Sequence, residues 1–210
     1  MNNNEIFNDI EKHLLEDEKP SLWIEKMRNK GVFDVKPFKV FSELNETLQE
    51  KKHHPEGNAW IHTLMVVDRA AKEKEKSDFP RAFMWAALLH DIGKVRTTMK
   101  RNGRWTSYDH DIVGAEMVKS FLDEFQLDDD FKDRVTAYVR WHMQPLYVIN
   151  HLPFQNIKAM VKEIEPKELG LLCFCDRVGR GNLTKETLSD ITEENKLFIR
   201  KAEKVKEELN

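Results

Sequence analysis

With 210 residues the chain can bury one sizeable core, with at most a helical extension beside it. A formal net charge of −3 gives no global basic field, which excludes strong non-specific nucleic-acid binding and leaves only local patches for an RNA contact. No apolar run approaches the roughly eighteen residues of a membrane span, and Met1-Asn2-Asn3-Asn4-Glu5 has neither the basic head nor the apolar run of a secretory leader. A soluble, cytoplasmic protein without membrane contact is expected.

Helical spacing recurs along nearly the whole sequence and alternating runs are scarce, so the expected fold class is all-α. Residues 4 to 17 read as a polar, loosely attached helix. Pro20-Ser21 opens a short helix carrying Leu22, Trp23 and Met27, which Gly31 ends. From Phe38 to about Lys52 the residues Phe38, Phe41, Leu44 and Leu48 keep the spacing of a core-facing stripe. The chain turns at Pro55-Glu56-Gly57 and resumes as a helix from about Ala59 to Lys76, with His62 in its first two turns.

Ala82 to Ile92 is apolar on every side until it meets His90-Asp91, which marks a central helix holding that pair. Residues 94 to 109 read as a loop or short hairpin. Helices follow from about Asp111 to Phe125 and from about Asp129 to Met143, the second stopped by Pro145. Another covers Phe154 to Lys162, and Pro166 opens the next, which carries Leu169, Leu171, Leu172, Phe174 and Asp176. Ile191, Phe198, Ala202, Val205 and Leu209 form one stripe amid dense charge, a surface helix lying against the core or a partner. Cys173 and Cys175 are too close for an ordinary disulfide framework and read as reduced, buried thiols.

An ionisable pair in an apolar helix demands compensation, because an unpaired buried carboxylate loses several kcal/mol of solvation. For His90-Asp91 a divalent cation supplies it, and so does a hydrogen bond within the pair or an ion pair with Lys94. His62, His110, His142 and Asp176 each stand where a helical segment begins, ends or turns apolar, so several helices of one bundle can aim a ligand at a common point. Taken singly, each also reads as a helix-face histidine, a cation at a helix end or an exposed acid.

The pattern of His62, the adjacent His90-Asp91 and the distant Asp176 resembles the HD superfamily of metal-dependent phosphohydrolases. Four longer strings, residues 54–64, 87–94, 141–145 and 176–181, look like the HD domain attached to bacterial CCA-adding tRNA nucleotidyltransferases, over roughly residues 40 to 182. The nucleotidyltransferase head has no counterpart in these 210 residues, so nucleotide addition is not expected. The resemblance implies an HD-domain helical bundle at residues 37–185, preceded by a helical extension at 1–36 and followed by a C-terminal helix at 186–210.

It also implies hydrolysis of phosphate esters, on nucleotide, 2′-phosphate or 2′,3′-cyclic phosphate substrates, by a metal-bound hydroxide. One metal falls to His62, His90, Asp91 and Asp176. If His110 and His142 turn inward, Asp91 bridges to a second. Mixed imidazole and carboxylate ligands favour Mn, Fe, Ni, Co or Zn over Mg. Lys94 is a candidate phosphate contact, as are Arg177 and Arg180 after Asp176 and Arg96 and Arg104 around the 94–109 loop. In that loop Trp105 and Tyr108 either stack on a base or cap the core. The expected partner is a small phosphate ester or nucleotide, with an RNA end as an extension of the same chemistry, and the chain is read as a monomer or homodimer. The competing reading is a non-catalytic RNA-binding or interaction module that retains a structural metal.

Overall fold

The computed structural model describes residues 1–50, 57–181 and 183–209. His54, the Pro55-Glu56 part of the turn and the end of the helix expected to reach Lys52 lie outside them. The described residues form an all-α bundle with one two-stranded hairpin: α1 (Asn3–Glu16), α2 (Pro20–Asn29), α3 (Lys39–Glu46), α4 (Ala59–Glu73), α5 (Pro80–Leu89), α6 (Lys94–Thr97), β1 (Met99–Arg101), β2 (Arg104–Thr106), α7 (His110–Leu122), α8 (Asp129–Trp141), α9 (Gln144–Ile149), α10 (Ile157–Met160), α11 (Pro166–Val178) and α12 (Lys185–Glu207).

The axis of the bundle is α5. Pro80 starts it, where a missing N–H is harmless, and every side chain from Ala82 to Leu89 is buried. A helix apolar on all sides has no solvent face and must be enclosed. Helices α1, α4, α8 and α11 enclose it, α7 packs on α8, and α12 lies along α11. Side-chain caps fix where the flanking helices begin: Asn58 accepts from Ile61 N at 2.8 Å to start α4, and Asp128 accepts from Phe131 N at 2.8 Å to start α8. The first cap sets His62 one turn inside α4.

Several local expectations change. The first helix is not loosely attached, because Ile6, Phe7, Ile10 and Leu14 are buried in the common core on one stripe of an otherwise polar helix. Phe7 stacks on Trp85 of α5 with ring centroids 4.2 Å apart. Helix α3 ends at Glu46, and the chain then runs extended against the segment before α4, through Gln49 N to Gly57 O and Ala59 N to Thr47 O. Strand alternation there turns Leu48 outward, half exposed, and Gln49 inward. The expected Phe154–Lys162 helix shrinks to α10, and Pro145 opens α9 as well as following the end of α8. Leu22 is exposed on α2, while Ile24 takes the buried position. On α12 the stripe holds for Ile191, Phe198 and Ala202, whereas Leu209 lies past the helix end and is exposed.

Phe7→Ala is expected to lower unfolding free energy in urea titration by about 3–5 kcal/mol, the range for emptying a buried aromatic site. Leu22→Ala, on the neighbouring helix but exposed, should stay within about 0.5 kcal/mol of wild type.

Candidate metal centre

Helix α5 ends one residue before His90, so the His90-Asp91 pair stands in the turn after the central helix rather than inside it. Two close approaches of backbone bring other helices to that turn. A Cβ on Gly93 would lie 2.0 Å from His110 O and 2.6 Å from Gly114 N, so only glycine lets the turn rest against the start of α7. A Cβ on Gly179 would lie 2.9 Å from Val66 Cα, so glycine likewise seats the end of α11 on α4. The first contact delivers His110 to Asp91, and the second delivers Asp176 to His62. Asp109, in the left-handed region with φ of 60°, turns the chain into α7 just ahead of His110.

Three imidazoles are oriented by one device. His90 Nδ1 donates to Ala87 O at 3.0 Å, His110 Nδ1 to Ser107 O at 2.7 Å and His142 Nδ1 to Val139 O at 2.7 Å, each three residues back. His90 and His142 directly follow the last residues of α5 and α8, where carbonyls lack helical partners. With the proton held on Nδ1, each Nε2 presents a lone pair to the interior.

Those lone pairs converge on one carboxylate. Asp91 Oδ2 lies 3.3 Å from His90 Nε2 and 3.9 Å from His62 Nε2, while Oδ1 lies 3.4 Å from His110 Nε2 and 3.8 Å from His142 Nε2. His62 Nε2 is also 2.8 Å from Asp176 Oδ1, which stands 3.9 Å from His90 Nε2. The Nε2 atoms of His110 and His142 are 3.1 Å apart. Lone pairs this close to one another and to carboxylate oxygens repel unless a cation lies among them. His90 Nε2 is buried and among the described residues has no hydrogen-bond partner. Two groups can therefore hold a cation: His62, His90 and Asp91 on one side, and Asp91, His110 and His142 on the other.

The charge states suit such a role. Burial opposes ionisation of Asp91, but Lys94 and His90 outweigh it and hold the carboxyl well below the usual range. Burial acts the same way on Asp176, where the hydrogen bond from His62 and the nearby Arg180 prevail and again push it well below. Burial and then His142 push His110 down to about 3, and burial and then His90 lower His142. Neutral imidazoles and ionised carboxylates are the forms that bind metal ions.

A cavity of about 460 Å³ opens over this cluster, lined by Asp91, His110, His142 and Asp176 together with Lys94, Arg177, Arg180 and Trp105. Lys94 is buried, with Nζ 2.7 Å from Asp91 Oδ2 and 2.6 Å from Gln49 Oε1. Arg177 donates to Glu194 of α12 at 2.6 Å, and Arg180 lies 3.8 Å from Asp176. Arg96 and Arg104 do not line the cavity. Arg96 is two residues past the buried Lys94, the wrong side of a helix, and strand alternation points Arg104 to solvent while Trp105 turns in. Tyr108 is exposed beneath Arg101 and caps nothing. Cys173 and Cys175 are buried free thiols, and Cys173 Sγ donates to His142 O at 3.0 Å. Sequence reasoning missed Gln49 and Glu50, which carry no motif and become visible only through the extended segment after α3.

A model of the HD domain family matches residues 59–181. Among curated relatives, the Multifunctional CCA protein of Actinobacillus pleuropneumoniae serotype 5b (strain L20) is 29% identical over 123 residues, which is 59% of this chain and 29% of that protein. The protein of the same name from Neisseria meningitidis serogroup C (strain 053442) is 28% identical over 187 residues, 84% of this chain and 42% of its own. That of Teredinibacter turnerae (strain ATCC 39867 / T7901) is 27% identical over 184 residues, 80% and 41% respectively. The chain spans less than half the length of these relatives.

Gly93→Ala is expected to force the turn away from α7, with a stability loss of about 1–3 kcal/mol by thermal unfolding and weaker metal uptake on the His110 side by titration calorimetry. Gly181→Ala, whose added Cβ would meet its nearest atom at 4.0 Å, should change neither.

Proposed function

The chain belongs to the HD domain family, and from that premise we propose that it hydrolyses phosphate monoesters or cyclic phosphodiesters of nucleotides at a centre of one or two divalent transition-metal ions. His62, His90, Asp91 and Asp176 would hold the first ion, and His110 and His142, together with Asp91, would hold a second. The observation that carries this reading is the division of Asp91: one carboxylate oxygen faces His62 and His90, and the other faces His110 and His142. A lone structural hydrogen bond has no use for four converging imidazoles.

The residues then divide the work. Backbone carbonyls at Ala87, Ser107 and Val139 keep three ring protons on Nδ1, so the ligand nitrogens need no reorganisation. Lys94 keeps Asp91 ionised and adds positive charge at the cavity wall, and Arg180 does the same beside Asp176. A polyanionic ester is thereby drawn to the ligand face and oriented there. When bound, the ions supply an activated water at neutral pH and offset charge on the phosphoryl oxygens in the transition state. Mixed nitrogen and oxygen donors favour Mn, Fe, Ni, Co or Zn over Mg. An RNA end bearing a terminal phosphate presents the same group as a mononucleotide, so it belongs to the same substrate class. Among the described residues no helix is long and apolar enough to cross a membrane.

Purified protein should hydrolyse a chromogenic phosphate ester with added Mn, Ni or Co, and a panel of mononucleotides, 2′,3′-cyclic nucleotides and 2′-phosphates should rank its substrates. Chelation should abolish turnover and lower the melting temperature, because a ligand that binds only the folded state stabilises it. Asp91→Ala should lose both turnover and bound metal by elemental analysis. Turnover in Asp91→Ala equal to wild type would sink the proposal, and salt-dependent RNA binding without metal-dependent turnover would favour the interaction module.

A further inference from the structure

We propose that Gln49 is a substrate-contacting residue, whose side-chain amide donates a hydrogen bond to a phosphoryl oxygen of the ester bound in the cavity. The inference rests on the hydrolase reading and assigns a residue outside the ligand cluster and outside the α-helices that build it. Gln49 is 6% exposed, in the extended segment that follows α3. Its Oε1 accepts from Lys94 Nζ at 2.6 Å.

An ammonium can only donate, so the amide oxygen must face Lys94 and the NH2 group must face away from it. That Nε2 is buried and donates to nothing among the described residues. A buried donor left unsatisfied is rare in folded proteins and marks a place where something else completes the hydrogen bond. Gln49 lines the same cavity as Asp91, His110 and Asp176, so the cavity is the route by which a further acceptor can reach its side chain.

The occupant must bring an acceptor into a wall that already carries Lys94 and Arg180. A phosphoryl group does so, because its ionised oxygens accept several hydrogen bonds at once and match the local charge. Glu50, the next residue, is not that acceptor, since Gln49 Nε2 bonds to none of the described residues, and the Glu50 carboxylate instead receives the backbone N–H of Trp105 at 3.2 Å. Gln49 thus has two hands, the oxygen steadying Lys94 and the nitrogen addressing the ester.

The two roles separate by substitution. Gln49→Glu keeps an acceptor for Lys94 but replaces the donor with a charge that repels an anion. Inorganic phosphate is titrated calorimetrically into the full chain loaded with Mn or Co, with bound metal per chain measured alongside. Gln49→Glu is expected to weaken phosphate binding by about tenfold or more, the effect of a charge-assisted hydrogen bond, and to raise KM by a similar factor with a smaller change in kcat and unchanged metal content.

Phosphate affinity and KM in Gln49→Glu equal to wild type overturn the inference alone, since a residue that only anchors Lys94 tolerates the better acceptor. A metal-loaded wild type that takes up no phosphate overturns the hydrolase reading and the inference together. Should Gln49→Glu fail to fold, Gln49→Met in a Lys94→Met background takes its place. A further loss of phosphate affinity beyond Lys94→Met sustains the donor role, and no further loss refutes it.

Discussion

An ionised carboxylate at the centre of an apolar bundle is the constraint around which the rest of this structure is arranged. Asp91 is 2% exposed, and a carboxylate so placed loses solvation worth several kcal/mol unless other charges replace the water. Lys94 replaces part of it at 2.7 Å, from the first turn after the same loop. Four imidazoles face the carboxylate at 3.3 to 3.9 Å, too far for strong hydrogen bonds, and three of them, His90, His110 and His142, turn their own lone pairs inward. Lysine alone satisfies one oxygen. The groups around both oxygens could hold a cation, which accounts for more of the observations than an ion pair does.

The scaffold answers that constraint with backbone proximity rather than with more polar side chains. Ligands from α4, the turn after α5, α7, the end of α8 and α11 reach one point only if the turn at Gly93 and the end of α11 at Gly179 touch their neighbours at backbone distance. Any side chain at either glycine would separate two ligand-bearing elements. His90 and His142 then exploit helix ends: the carbonyls that α5 and α8 leave without partners become the acceptors that hold their rings. Fold and site are therefore not separable layers here, because the close contacts that seat one helix on another also bring the residues of the cluster together.

What the sequence made legible follows the same physics. The all-α class and the buried axis could be read from periodicity, because Ala82 to Leu89 admits no solvent face. The cluster of His62, His90, Asp91, His110, His142 and Asp176 could be nominated because polar groups interrupting apolar runs are costly and need a shared explanation. The cavity wall is less legible. Arg96 and Arg104 were attractive by proximity in sequence, yet helix and strand periodicity aims them outward. Gln49 carries no motif, and its inward place in the cavity wall depends on α3 stopping at Glu46 so that the next residues alternate like a strand. Helix ends and short extended pairings are set by tertiary hydrogen bonds, such as Gln49 N to Gly57 O, that no local pattern encodes.

A second buried carboxylate shows how the bundle keeps its ligands in place. Glu168 opens α11 and accepts from Ser77 Oγ at 2.6 Å, from Asp78 N at 2.9 Å and from the Tyr138 hydroxyl of α8. Three protein donors thus compensate its burial, whereas Asp91 is compensated mainly by Lys94. Eight residues further along the same helix, about 12 Å away at helical rise, stands Asp176. One end of α11 is bolted to α8 and to the start of α5, while the other holds Asp176 2.8 Å from His62 Nε2. A rigid element pinned at a satisfied carboxylate can hold a second carboxylate against electrostatic repulsion, which is what a preformed cation site requires of its frame.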